Sequence, residues 1–385
     1  MNNPHLDQAP AGARLTIDLG AIADNWRQLD RMAGAAECAA VVKADAYGLG
    51  IEEVVPALWK AGCKTFFVAL SAEGIRVRKA APDAIIYILA GYFSDSLDVF
   101  RHYALRPVIN MEFEAWIKAC RDDHLAYAVQ LETGMNRLGI PIAEYAELQA
   151  SGVLDDYQPA LLMSHLACAD TPGHALNALQ QQRFQGAVEN HPCDCTSLAN
   201  SAGIFLGADY HYDLVRPGIA LYGGACTGGH LADNPMRPVI RLEARVLQLK
   251  AVKPGETIGY GGAESVRPSP HSGSNERLVA TLAAGYADGF LRSGSSSDQR
   301  RGGSAAWRGT RIPLIGRVSM DLINVDLTDH PDVAQLQDGQ WYDEWIELIG
   351  PTVPLDDVAQ AAGTIGYEIL TSLGNRYQRT YINGL

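Results

Sequence analysis

The 385-residue sequence contains no apolar run approaching the roughly 18 residues of a membrane-spanning helix, so no such span is expected. Its first 13 residues lack both a basic cluster and an apolar stretch, so no secretory signal is expected either. Cysteine is sparse and odd in number, with seven residues at 38, 63, 120, 168, 193, 195 and 226. That scatter argues against a disulfide framework and for reduced packing thiols in a cytosol, giving a cytoplasmic expectation. Positive charge is also short. Lysine and arginine number 31 against 44 acidic residues, a net charge of −13, which repels nucleic-acid backbones and anionic lipid surfaces. Neither is expected as a partner. His191 with Cys193 and Cys195 is the one hint of a metal, but no second ligand pair follows at zinc-like spacing, so a turn before a strand is expected and no metal. Dinucleotide glycine fingerprints and internal repeats are missing too.

What is present is the composition of a folded protein, 47% apolar and 19% charged, over a length that suits two domains. Short apolar runs at 39–42, 65–70, 85–90, 105–109, 126–131, 160–165, 195–198 and 212–215 are continuous, as strands buried on both faces read. Between them, 52–59, 112–120 and 175–188 carry apolar residues at helical spacing. Eight strand-then-helix units predict an α/β fold, a closed parallel (β/α)8 barrel over 14–236, with a doubly wound open sheet as the alternative. Ahead of the first unit, Asp18 can cap a covering helix that lines up Ile22, Trp26 and Leu29. From 237 to 385 strand-like runs at 239–252, 278–284, 311–315, 322–327 and 345–349, split by glycine and proline turns, predict a mostly β domain. The serine- and glycine-rich stretch 292–309 is expected to be an exposed loop, with nucleic-acid contact a remote second option.

A parallel barrel does its chemistry at the C-terminal ends of its strands. The first strand ends at Lys43, where apolar walls around the stem would lower the amine's proton affinity, as a Schiff-base lysine requires. Alone it reads better as a solvated strand-end lysine. The sixth ends at His165, the seventh runs into Asn200 and Ser201, and the eighth into Arg216, Pro217 and Gly218. Small residues, a hydroxyl and backbone N–H groups after strands seven and eight suit a phosphate. Each is an ordinary βα turn when taken singly. Together, a lysine, a tyrosine four residues on, a histidine, a phosphate seat and an arginine on one rim fit a phosphorylated aldehyde cofactor, pyridoxal phosphate.

Six ordered segments carry a more specific resemblance. Ala40-Val-Val-Lys-Ala-Asp-Ala-Tyr-Gly48, Glu132-Thr-Gly-Met-Asn-Arg-Leu-Gly139, Val215-Arg-Pro-Gly-Ile-Ala-Leu-Tyr-Gly223, Gly259-Tyr-Gly-Gly262, Ala284-Gly-Tyr-Ala-Asp-Gly289 and Gly316-Arg-Val-Ser-Met-Asp321 resemble the motifs of alanine racemases. The resemblance implies a pyridoxal 5′-phosphate enzyme that interconverts L- and D-alanine and supplies D-alanine for peptidoglycan. It implies that Lys43 holds the cofactor covalently and that Tyr47, Ser201, Gly218, Ile219 and Tyr367 bind its phosphate. Arg216 would face the pyridine nitrogen as a hydrogen-bond donor that keeps its own proton, leaving the ring a weaker electron sink. Lys43 would serve the D-alanine face and Tyr260 the L-alanine face. A tyrosine free in water ionises only near about pH 10, so Tyr260 would need the support of His165. Arg137 and the Met320 backbone would bind the substrate carboxylate, Tyr286 would narrow the entrance, and Asp321 would support the site. Tyr260 would act in the other subunit of a head-to-tail homodimer.

Three positions depart from the family pattern. Leu49 stands where many relatives have histidine, Gln130 where many have a carbamylated lysine, and Ala263-Glu-Ser265 where bulkier residues are common. Without the resemblance, Tyr260 and Tyr286 read as packing residues at glycine turns. Three other readings compete: a racemase of broader range, a decarboxylase of similar build, and a non-catalytic pyridoxal phosphate carrier, which would lack residues 238–385.

Overall fold

The computed structural model describes residues 11–384 except 94–95, 112, 156, 191–192, 227–233, 270 and 337–339. His191, part of the one metal hint, lies outside the described residues. Two compact units emerge, one formed by Leu19–Arg237 and the other by Pro238–Ile382 with the strand Ala13–Asp18.

The eight apolar runs of the first unit are parallel strands. Ala40–Val41 pairs with Thr65–Val68, that with Ile85–Ile88, and so on through Arg106–Ile109, Ala128–Glu132, Leu161–Met163 and Thr196–Ser197. Hydrogen bonds then close the ring. Asp213 N–H donates to Thr196 O (3.1 Å) and Arg216 N–H to Ala199 O (2.9 Å), while Ala39 and Val41 N–H donate to Val215 O (3.0 Å) and Pro217 O (2.9 Å). The open-sheet alternative falls, because an open sheet would leave those two edges unpaired. Phe66, Phe67, Val68, Ile86, Val108, Val129, Leu161 and Leu162 are fully buried. Each contributes about 1.5–3 kcal/mol by leaving water, which is why these runs are continuous rather than alternating. The covering helix is Leu19–Ala33, with Ile22, Trp26 and Leu29 buried as their spacing predicts. Trp26 also donates from its indole to Cys38 O (3.1 Å), pinning the helix to the first strand. Cys38, Cys63, Cys120 and Cys226 are buried free thiols.

The second unit is built on the long strand Ile240–Val252, which pairs antiparallel with Arg277–Leu282, Trp345–Ile349 and Ala13–Asp18. Residues 14–18, assigned to the barrel from the sequence, therefore belong here. Their strict alternation, with Leu15 and Ile17 buried and Arg14 and Thr16 half-exposed, is the pattern of a sheet with one covered face. Gln378–Ile382 flanks this strand in parallel.

The stretch 292–309 is not simply an exposed loop. Ser304–Trp307 is a strand paired with Thr310–Pro313, and Trp307 is fully buried. Alanine carries little β signal, so the strand is silent in composition. Between the two strands, Arg308 (φ 47°) and Gly309 (φ 78°) form a two-residue hairpin loop with both φ positive. Two helices, Leu355–Ala362 and Gly366–Ser372, complete the unit.

Candidate active site

Lys43 opens a turn whose backbone is unusual. Ala44, Asp45, Ala46 and Tyr47 all adopt left-handed helical angles, with φ between 52° and 56°. For residues with a Cβ this conformation costs roughly 1–2 kcal/mol each, so surrounding contacts must hold it. Ala46 N–H donates to Val42 O (2.9 Å), and Gly50 N–H reaches back to Asp45 O (2.9 Å). The result is geometric. Lys43 stays half-buried at the strand end, while Tyr47 is driven down into the barrel wall against Tyr222, ring centroids 4.6 Å apart. Desolvation lowers the proton affinity of the Lys43 amine, the Arg137 guanidinium lowers it further, and Glu73 opposes both. Desolvation and Arg137 together make the neutral, nucleophilic form easier to reach than in a solvated lysine.

Gly218 lies against Tyr47, with Ser201 hydrogen-bonded to it and Ile219 next in the chain. Gly218 N–H (2.7 Å) and Ala220 N–H (3.3 Å) donate to the Ser201 hydroxyl oxygen, which leaves the hydroxyl proton available to an anion. A Cβ at Gly218 would stand 2.3 Å from the Tyr47 hydroxyl oxygen, so only glycine permits this approach. The cluster of hydroxyl and N–H groups fits the phosphate of pyridoxal phosphate.

Arg216 is almost wholly buried, and among the described residues it has no carboxylate partner. Its guanidinium donates instead to the Ser197 hydroxyl, to Ser164 O and to Leu198 O, with the Phe67 ring 6.0 Å away. Burial draws it down to about 9, so it remains a cation at neutral pH. A buried cation held only by neutral acceptors is costly unless a ligand uses it, and a ring nitrogen is such a ligand. His165 lies within its field. Burial first, then the positive charges of Arg216, Arg137 and Lys43, push the imidazole down to about 3, so it is neutral.

Arg137 is exposed on the loop after the fifth strand. That loop is wound about one side chain: the Glu132 carboxylate accepts the N–H groups of Gly134 and Asn136 (the latter 2.8 Å). Gln180 donates to Thr133 Oγ1 (3.1 Å) and to His165 O (2.9 Å), and Arg183 to Thr133 O (2.9 Å). One helix, Ala175–Asn190, thus sets both the Arg137 loop and the His165 strand end. The sequence reading gives Glu132, Ser164, Ser197 and Gln180 no role of their own, although Glu132 opens one of the six motifs. The signal of the first three is polarity at or beside the ends of otherwise apolar strands, whereas Gln180 lies within a polar helix and carries none.

In the second unit the remaining motifs converge by themselves. Tyr286 N–H donates to Ser319 O (3.0 Å) and Ala287 N–H to Met320 O (2.9 Å). Gly285 makes that approach possible, since a Cβ there would fall 2.3 Å from Met320 O. Glycines at 259 and 261 let the Tyr260 turn lie against Arg317, at 3.3 Å and 2.8 Å from where their Cβ atoms would be. Glu264, from the departing Ala263-Glu-Ser265 stretch, accepts the Gly316 N–H (2.6 Å), so that segment braces the loop carrying Met320. Asp321 pairs with Arg376 (2.8 Å), which also holds Asp288 (3.0 Å). The helix bearing Tyr367 ends against Gly289, where a Cβ would meet Ser372 O at 1.9 Å. Tyr260 is 70% exposed and Met320 53%. Leu49, the departure beside Tyr47, is fully buried.

The sequence matches the family models described as Alanine racemase, N-terminal domain, over residues 17–226 and Alanine racemase, C-terminal domain, over residues 239–381. The chain belongs to the alanine racemase family. The alanine racemase of Methylobacterium nodulans is 49% identical over 377 residues, 97% of each chain. Among solved structures, the alanine racemase of Bartonella henselae with covalently bound pyridoxal phosphate is 37% identical, with a TM-score of 0.86 over 97% of this chain and 100% of that one. The biosynthetic alanine racemase of Pseudomonas aeruginosa is 32% identical, with a TM-score of 0.84 over 97% and 99%. The barrel strands fall within the N-terminal match, and the mostly β unit from Ile240 onward falls largely within the C-terminal match.

Proposed function

We propose that this chain is a pyridoxal 5′-phosphate-dependent alanine racemase, interconverting L- and D-alanine by moving the Cα proton between two bases. One observation carries the reading: a lysine of lowered proton affinity, two arginines, a neutral histidine and a phosphate seat share one barrel rim, on a chain of this family. When bound, pyridoxal phosphate withdraws electrons from the amino acid and makes its Cα–H bond acidic. Tyr47, Ser201, Gly218, Ile219 and Tyr367 hold the phosphate. Arg216 donates to the ring nitrogen and keeps its proton, which favours return of a proton to Cα over side reactions. Arg137 and Met320 orient the substrate carboxylate, and Tyr286 bounds the entrance. Lys43 holds and returns the proton on the D face; Tyr260 of the partner subunit does so on the L face, with neutral His165 as its hydrogen-bond partner.

A homodimer with shared sites is supported by exposed apolar surface. Leu70, Phe93, Met111 and Leu138 follow barrel strands two to five, and Tyr260, Met320, Leu322 and Ile365 crowd the second unit. Surfaces of this kind call for cover. The domain division proposed is 14–236 and 237–385, with the strand Ala13–Asp18 transferred to the second part. Among the described residues no helix is long and apolar enough to cross a membrane. The proposed setting is the cytoplasm, and the proposed use of the product is peptidoglycan.

Incubation with single amino-acid enantiomers in D2O tests the function. A racemase yields Cα-deuterated alanine of the opposite hand; amine as product would mean a decarboxylase, no exchange a carrier, and equal turnover of larger amino acids a broad racemase.

Gln130 carries a separate expectation. It is buried, and its side-chain amide donates to Leu138 O (2.9 Å), holding the backbone beside Arg137 without any carbamate. Activity should therefore be unchanged when bicarbonate is restored to degassed enzyme. Gln130→Ala should raise KM for alanine by about tenfold, the order expected for one lost hydrogen bond, while leaving kcat within about twofold. A marked stimulation by bicarbonate would overturn this.

A further inference from the structure

Holding four residues in the left-handed region needs an anchor outside the turn, and one side chain supplies it. Glu73 lies in the first turn of the helix Ser71–Ala80, directly after the second barrel strand. One of its carboxylate oxygens accepts the N–H groups of Ala69 (2.9 Å) and Leu70 (3.1 Å); the other accepts the N–H of Asp45 (3.3 Å). A single half-buried carboxylate thus fastens the end of the second strand to the middle of the turn that begins with Lys43. The next helical turn repeats the attachment through side chains. Arg76 donates to Asp45 Oδ1 (2.6 Å) and to Glu52 (2.6 Å), while Asp45 Oδ1 also accepts the Ile51 N–H (3.0 Å).

We propose that Glu73 is a positioning residue for Lys43, fixing the left-handed turn that presents the lysine and setting a carboxylate against the positive charge of Arg137 at the amine. Among the described residues, the charged and titratable groups facing that amine include Arg137 from the loop after the fifth strand, His165 after the sixth, Glu73 after the second, and Asp45 on its own turn, the last already paired with Arg76. Of these, Arg137 weakens and Glu73 strengthens the lysine's hold on its proton. A glutamine at 73 would keep one acceptor oxygen but lose the charge. Alanine would lose both.

The inference rests on Lys43 as the site's reacting amine. Borohydride-stable attachment of pyridoxal phosphate to Lys43 in the unaltered protein tests that reading separately. For the inference itself, the full-length protein is freed of cofactor, and Lys43 is titrated by trace acetylation across pH with peptide mass spectrometry. Glu73→Gln and Glu73→Ala should both lower the midpoint of Lys43 labelling by at least about half a pH unit, as loss of a nearby opposite charge requires. Val77→Ala, a fully buried change in the same helix, should lower Tm without moving that midpoint. In the holoenzymes, Glu73→Ala should lower kcat by about tenfold or more, and Glu73→Gln should restore part of the loss, since turn geometry is partly kept. If Glu73→Ala does not fold, Glu73→Gln decides alone. An unmoved midpoint in the folded Glu73 variants, with only Tm reduced, would make Glu73 a helix cap and overturn the proposal.

Discussion

Lys43→Ala leaves a folded protein that no longer absorbs in the visible on addition of pyridoxal phosphate, gains no borohydride-stable label, and racemises alanine at least about 10⁴-fold more slowly. Two losses combine in that figure. The amine that holds the cofactor is gone, and so is the base on one face of Cα, which alone is worth about 10²–10⁴. Folding should survive because the side chain is only half-buried and the turn behind it is held by backbone bonds and by Glu73 rather than by the lysine. Absorbance titration and a coupled assay of D-alanine formation measure both. A variant that keeps more than a few per cent of the rate would show that Lys43 is not the reacting amine.

For the opposite face, Tyr260→Phe is the decisive change. It deletes one oxygen from a side chain that is 70% exposed, so stability should stay within about 0.5 kcal/mol of the parent. The rate of racemisation should fall by about 10²–10⁴, the range for removing a general acid–base group. Its signature in D2O is asymmetric: D-alanine should still take up deuterium at Cα with retention, through Lys43, while exchange into L-alanine is lost. Proton exchange measured by NMR on each enantiomer separately reads this directly. Undiminished exchange into L-alanine would reassign the second base. Equal loss from both enantiomers would mean that the tyrosine positions substrate instead of moving a proton.

The barrel residues proposed for the chemistry were legible because strand ends are marked twice in a sequence, by the end of an apolar run and by the first polar residue after it. Lys43, His165 and Arg216 were found that way, and the glycine-flanked Tyr260 and Tyr286 by family resemblance alone. The residues that hold them were not. Glu132, Gln180 and Glu73 act by accepting or donating hydrogen bonds to backbone in neighbouring loops, and nothing in local composition distinguishes such a carboxylate from a solvated one. Gln130 was singled out as a departure, but its hydrogen bond to the carbonyl of Leu138, beside Arg137, is visible only in the structure.

Periodicity and composition determined that the chain has a parallel βα part and a β-rich part, because continuous apolar runs demand burial on both faces and that demand is local; closure of the barrel was decided by hydrogen bonds between its first and last strands. Only the tertiary structure decided that Ala13–Asp18 belongs with the far end of the chain, since strand pairing is set by partners more than 200 residues away. It alone revealed the strand hidden in 292–309, whose alanines gain their place from Trp307 and a turn rather than from propensity. The left-handed turn after Lys43 is likewise invisible in Ala-Asp-Ala-Tyr, because four residues with a Cβ adopt that conformation only when contacts made elsewhere outweigh its local cost.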